Sequence, residues 1–89
     1  MEDFKGTKGN WSYSKENGTI RGDGGLLAEL LINGSEDDNG ALMAAAPELL
    51  EALQLTEKAM AEGRNVTYPE WYGVINKARA AIHKALGKE

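Results

Sequence analysis

Asp38-Asn39-Gly40-Ala41-Leu42-Met43-Ala44-Ala45-Ala46-Pro47-Glu48-Leu49-Leu50-Glu51-Ala52-Leu53 is the longest apolar tract of the chain, and its proline decides how the helical part is built. Inside a continuous helix Pro47 would forfeit a backbone hydrogen bond and clash with the preceding turn. In the first turn of a new helix its missing N–H is harmless. The tract therefore predicts two helices meeting at a bend near Ala46. Ser35 can cap the first, which runs to about Ala45, and Glu36, Asp37 and Asp38 sit where the positive end of the helix dipole favours acids.

Working towards the C-terminus, the second helix extends to about Glu62, where Gly63 supplies a stop. Leu49, Leu50, Leu53 and Met60, with the small Ala52 and Ala59, form its apolar stripe, and Met43 and Met60 read as core. Gly63-Arg64-Asn65-Val66 reads as a loop. Thr67-Tyr68-Pro69-Glu70 then announces a helix, with a capping Thr, a Pro just inside and a Glu three residues after the Thr. That helix runs to about Leu86, and Trp71, Ile75, Ala78, Ile82 and Leu86 recur on one face. It should lie antiparallel to the helix after Pro47. Charge agrees: from Ser35 to Glu62 seven acids stand against Lys58 alone, whereas from Trp71 to Glu89 four basic residues stand against Glu89.

Working towards the N-terminus, Asn17-Gly18 and Asp23-Gly24-Gly25 separate short runs of strand formers and suit tight hairpins. They predict strands at Asn10 to Lys15, Thr19 to Gly22 and Leu26 to Ile32. Trp11 and Tyr13 share one side of the first, since side chains alternate. The third is apolar on both faces, so either a second subunit covers one face or the segment is helical. The fold class is α+β: one domain over residues 1–89, with an antiparallel β-meander in 1–34 and an antiparallel helical hairpin, its first helix broken by proline, in 35–89.

Composition narrows the function classes. With 89 residues the chain is near the lower size at which a single core suffices, where oligomerisation often adds stability. The absence of cysteine excludes disulfides and thiolate metal sites. A formal net charge of −4 disfavours binding to polymeric nucleic acid. No apolar run is long enough to cross a bilayer and the N-terminus lacks a secretory pattern, so a cytoplasmic location is expected.

No phosphate-binding glycine loop, zinc-protease motif or nucleophile elbow is present. His83, the single histidine, reads as a solvated helix residue, and Glu36-Asp37-Asp38 reads as a helix N-terminus rather than a metal site. No catalytic residue, metal or cofactor is expected. What remains is compatible with a nucleotide pocket: Trp11, Tyr13, Tyr68, Trp71 and Tyr72 can stack on bases, and Arg21, Arg64, Lys77 and Arg79 can meet phosphates.

Residues Asn39 to Leu53 resemble a pattern common in small phage and prophage proteins, N-A-x-L-I-A-A-A-P-E-L-L-E-A-L. The surroundings agree, with Gly9-Asn10-Trp11 and Ile20-Arg21-Gly22-Asp23-Gly24-Gly25-Leu26-Leu27-Ala28-Glu29 before the motif and Ala78-Arg79-Ala80-Ala81-Ile82-His83-Lys84-Ala85-Leu86 after it. The layout looks like that of the phage Thoeris anti-defence sponges. Those are non-enzymatic oligomers that sequester cyclic ADP-ribose isomers and, in some members, cyclic oligonucleotides. The resemblance implies a homo-oligomer in the cytoplasm of an infected bacterium that binds a cyclic nucleotide signal intact. Asn39 matches the motif and carries over a base-recognising role. Gly40 stands where the pattern has Ala, and Ala41 stands where a basic residue is usual. Phosphate recognition then falls to Arg21, Arg64 or Arg79, with Trp11 as the stacking residue. The residues by themselves also fit a second class, a non-enzymatic interaction module that inhibits a host protein.

Overall fold

The computed structural model describes residues 3–63 and 67–88. Three strands, β1 (Ser12–Ser14), β2 (Thr19–Gly22) and β3 (Gly25–Glu29), form an antiparallel sheet in the order β1-β2-β3. Three helices follow: α1 (Glu36–Ala44), α2 (Ala46–Glu62) and α3 (Tyr68–Ala85). The fold is α+β, a meander followed by helices. The hairpins turn where the glycines predict, with Gly18 at φ 64° and Gly24 at φ 102°, a left-handed region that glycine enters without steric cost.

β3 stops at Glu29, short of the expected Ile32. Leu30 still donates its N–H to Gly18 O at 2.7 Å, but β2 begins only at Thr19 and offers nothing further to pair with. Leu31 and Ile32 consequently lie outside the ladder and are almost fully exposed. The start of α1 also differs from expectation. The Ser35 side chain caps nothing. Instead the Glu36 carboxylate reaches back to accept from the backbone N–H groups of Asn33 (3.1 Å) and Gly34 (2.8 Å), and Asn33 Oδ1 accepts from Ser35 N–H. An ionised acceptor makes the stronger bond. Its own backbone amide first, then those of Asn33 and Gly34, hold the Glu36 carboxyl below its ordinary range.

Pro47 occupies the first turn of α2, and Ala45 lies between α1 and α2. Gly63 closes α2 at φ 58°. α3 opens on Thr67, whose Oγ1 accepts from Glu70 N–H and donates to Glu70 Oε1. It closes on a Schellman motif: Lys88 N–H bonds His83 O and Gly87 N–H bonds Lys84 O, with Gly87 at φ 73°. α2 and α3 pack antiparallel, and α1 bridges them to β1 and β2.

The core is made of small residues. Ile20 is the only large side chain that is fully buried among the described residues, and the rest of the buried apolar set is Ala44, Ala45, Ala52, Ala59 and Ala81. Alanine lets backbones approach closely but removes little apolar surface from water. Of the stripe expected on α2, Ala52 and Ala59 are buried and Leu49 is half-buried, whereas Leu53 and Met60 are 67% and 68% exposed, so Met60 is not core. On α3 the packed line is Trp71, Val74, Ala78, Ala81 and Ala85, while Ile75, Ile82 and Leu86 of the expected stripe are exposed. The apolar arc of α3 is wider than its partner helix covers.

Candidate functional site

A cleft of about 630 Å³ lies where the first strand meets the helical hairpin. Its floor is the small-residue surface of the helices, Ala44, Ala52, Ala80 and Ala81. Larger side chains there would fill the space, so the alanines that make a thin core also make the cleft. Asn10, Trp11, Ser12 and Tyr13 form one wall, and Glu48, Glu51, Lys77 and Lys84 form the other.

Each wall is fixed by contacts that follow from the sequence. Trp11 is held at three points: Nε1 donates to Thr7 O at 3.0 Å, its carbonyl accepts from Lys84 Nζ at 3.1 Å, and its ring lies against the bare Cα of Gly22. A Cβ on Gly22 would come within 3.0 Å of Trp11 Cδ1. Tyr13 sits on α1 in the same manner. A Cβ on Gly40 would fall 2.4 to 2.6 Å from three ring atoms of Tyr13, and the phenol donates to Asp37 Oδ1 at 2.9 Å. Desolvation first, then the bond to Asp37 and the charges of Asp37 and Glu36, push the Tyr13 phenol above its ordinary value of 10.0. It is a neutral ring with its hydroxyl already committed.

The charged wall is zwitterionic. Lys84 Nζ meets Glu48 Oε1 at 2.8 Å, partly shielded from solvent, and Lys77 Nζ meets Glu51 Oε1 at 2.6 Å with both side chains more than half exposed. The spacing that achieves this is simple. Glu48 and Glu51 lie one turn apart on α2, and Lys77 and Lys84 lie two turns apart on α3. Glu48 Oε2 is buried and has no hydrogen-bond partner among the described residues. A smaller cavity of about 270 Å³ shares Asn10, Glu48 and Glu51 and brings Lys8 to its edge.

Chemically, the cleft offers two aromatic rings and two ammonium groups, each ammonium paired with a carboxylate. An aromatic, anionic guest can stack on Trp11 and Tyr13 and meet the lysines. His83 is exposed and not part of this lining. Among the described residues no group of acids or histidine is placed to hold a metal ion.

Of the residues selected from sequence, Trp11 lines this cleft, as do Tyr13 and Lys77 of the wider set that composition offered for stacking and phosphate contact. Asn39 is in the second turn of α1, exposed, on a separate cavity of about 390 Å³ with Leu30, Leu31, Leu42 and Met43. Arg21 is exposed on β2, in register with Ser12 of β1 and Leu26 of β3. Arg79 is exposed on α3, two residues from Lys77 and so turned roughly 200° around the helix from it. Arg64 lies outside the described residues. Sequence reasoning passed over Lys84, Glu48 and Glu51 as site residues. The signal was the charge contrast between the two helices, read only as a packing device.

Fold and cleft define a small α+β protein, a sheet on a helical hairpin with a ligand-sized hollow at their junction. A family model described as Salmonella phage P22 protein Y8K6 matches residues 1–89, and the chain belongs to that family. No curated protein and no solved structure matches it. Among the described residues no helix is long and apolar enough to cross a membrane.

Proposed function

We propose that this phage protein binds a cyclic nucleotide immune signal, a cyclic ADP-ribose isomer or a cyclic oligonucleotide, and holds it intact in the cleft between β1 and the α2–α3 hairpin. The observation that carries the reading is the convergence of Trp11 and Tyr13 with Lys77 and Lys84 on one hollow. The rings stack on the base. Lys77 is released to a phosphate at small cost, because an exposed ion pair such as Lys77–Glu51 is worth about 0 to 1 kcal/mol. Lys84 stays with Glu48 and the Trp11 carbonyl and keeps the wall in place. In this division of labour Lys77 takes the role first assigned to Arg21, Arg64 or Arg79 in the absence of a basic residue at position 41. The phosphate contact comes from α3, one helix away from the position of Ala41.

Titration calorimetry with cyclic ADP-ribose isomers and with cyclic di- and trinucleotides tests the proposal. One of them should bind, Trp11→Ala and Lys77→Met should each weaken it, and mass spectrometry after heat release should recover it unaltered. Binding by none of these ligands would overturn the reading, and recovery of a cleaved product would make the protein an enzyme. A second reading, an interaction module that inhibits a host protein, is supported by Leu31 and Ile32, 87% and 90% exposed beside β3.

A further inference from the structure

The two edges of the sheet differ. At one, β1 is three residues long, and the Trp11 carbonyl just before it is already taken by Lys84 Nζ. At the other, β3 is the last strand in the order β1-β2-β3. Leu30 turns its N–H towards β2, where Gly18 O accepts it. Backbone groups alternate sides along a strand, so Glu29 turns its N–H and C=O away from β2. Leu31 continues the line, and its N–H and C=O meet no other backbone group among the described residues. The line ends where Glu36 captures the amides of Asn33 and Gly34.

Proteins blunt such an edge with lysine, proline, a bulge or a covering element, because a row of unpaired backbone groups templates a further strand. Between Gly22 and Ala46 there is no lysine, arginine or proline. A shift in register opposite Ile20 and Arg21 leaves Leu27 without a partner, but Ala28 and Glu29 beyond it resume the pairing. Leu31 and Ile32 are the most exposed large apolar side chains among the described residues. Beside them lies the cavity of about 390 Å³ whose lining includes Leu42 and Met43 of α1. An apolar floor therefore adjoins a free strand edge.

Charge selects the occupant. The stretch from Gly22 to Ala46 carries Asp23, Glu29, Glu36, Asp37 and Asp38, with no basic residue to offset them. Glu29 lines the cavity, and Asp38 lies one turn before Leu42 on α1. Neither has an ion-pair partner among the described residues. Two copies of this edge laid together would set one acidic group against another, and like charges opposite each other destabilise a strand pair. We infer that the β3 edge takes an extended, basic segment of a partner protein as a fourth strand, apolar at alternate positions and carrying lysine or arginine. Its main chain pairs with Glu29 and Leu31, its apolar side chains lie over Leu42 and Met43, and its cations answer Glu29 and Asp38. In strand addition of this kind the main chain supplies affinity and the alternate side chains supply specificity. This strand site gives the second reading above the chemistry of its partner, and it is independent of what the cleft binds.

Selection from a displayed library of random decapeptides, with the full chain as bait, tests it. The enriched sequences should alternate apolar and polar positions and favour lysine and arginine over acids. Enrichment of acidic sequences, of sequences without alternation, or of none overturns the inference. A selected peptide N-methylated on alternate amides should lose affinity by about tenfold or more in one phase and by less than about twofold in the other. Equal effects in the two phases rule out strand addition. Amide hydrogen exchange at Glu29 and Leu31 should slow when the peptide binds, and unchanged exchange there overturns the assignment to this edge. Leu31→Lys and Glu29→Lys, both at exposed positions that the fold tolerates, should each weaken the peptide by about tenfold, whereas Lys77→Met in the cleft should change it by less than about twofold. A peptide lost with Lys77→Met but kept with Leu31→Lys sits in the cleft and refutes the edge site. Leu31→Lys should leave nucleotide binding in the cleft unchanged, so the two readings fail separately. Protection of Glu29 and Leu31 that rises with protein concentration in the absence of peptide would mean that copies pair edge to edge, and overturns the choice of a basic partner.

Discussion

Replacing Gly40 with alanine adds one methyl group to α1, and two opposed effects decide the outcome. Alanine is the better helix former by about 1 kcal/mol in a helix interior, so on propensity alone the change stabilises. The new Cβ, however, lands 2.4 Å from Tyr13 Cδ1, 2.5 Å from Cγ and 2.6 Å from Cε1, where carbon atoms prefer about 3.5 to 4.0 Å. Relief requires the ring to retreat by roughly 1 Å or more. Tyr13 cannot yield freely, because its backbone pairs with Ile20 of β2 and its hydroxyl is tied to Asp37. Overpacking of this kind costs about 1–3 kcal/mol, and the fixed ring puts this case in the upper half. Gly40→Ala should therefore destabilise by about 1–2 kcal/mol net, a fall in Tm of about 4–8 °C per kcal/mol for a domain of this size. Urea or thermal unfolding followed by circular dichroism measures it. In a Tyr13→Ala background the clash is absent and the same substitution should stabilise by about 0.5–1 kcal/mol. A Gly40→Ala protein more stable than native with Tyr13 in place, or the same sign in both backgrounds, would refute the packing of Tyr13 on α1.

The Tyr13 phenol, raised by desolvation and by Asp37, should ionise above 10.0 in a spectrophotometric titration. Its contribution to stability is fully present below that pH and is lost as pH rises through the folded value, and Asp37→Asn should bring the titration back towards 10.0. Glu36 runs the other way: its lowered pKa contributes stability present above 4.5 and lost as pH falls through the folded value. Glu36→Gln should thus lower Tm at pH 7 and converge with native at acidic pH, checked by melting curves across that range. Lys84→Met strands the half-buried Glu48 without its partner and should cost about 1–3 kcal/mol. Lys77→Met, at the exposed pair, should cost no more than about 1 kcal/mol, and urea midpoints distinguish the two.

Elements were legible in the sequence wherever a local rule had no competitor. Asn17-Gly18 and Asp23-Gly24-Gly25 placed the hairpins because positive φ leaves few alternatives, and Thr67 to Glu70 placed the start of α3 because cap, proline and glutamate agree. What failed was the choice of the large apolar residues that are covered: Ala52, Ala59, Trp71 and Ala78 pack as expected, but Leu53, Met60, Ile75, Ile82 and Leu86 do not. Periodicity on α3 is satisfied by an arc from Trp71 round to Leu86, and helix pattern alone does not say that alanines 78, 81 and 85 face inward while Ile75 and Ile82 face out. Size is a poor guide to burial when close backbone approach selects alanine at the contact. The length of β3 failed for a related reason, since a strand needs a partner and β2 is four residues long.

Gly40 and Ala41, adjacent on α1, gain a physical meaning together. Gly40 lets Tyr13 lie on α1, and that places an aromatic wall beside Trp11, on the side of α1 turned towards the α2–α3 cleft. Ala41 lies one residue on, with its Cβ 3.8 Å from where a Cβ on Gly87 would stand, at the end of α3. A long basic side chain at 41 would have to pass this junction, whereas Lys77 and Lys84 already project into the cleft from α3 itself. Placing Ala at position 40 without removing the Tyr13 ring should therefore damage the cleft as well as the fold, and ligand affinity should fall alongside Tm in the Gly40→Ala protein.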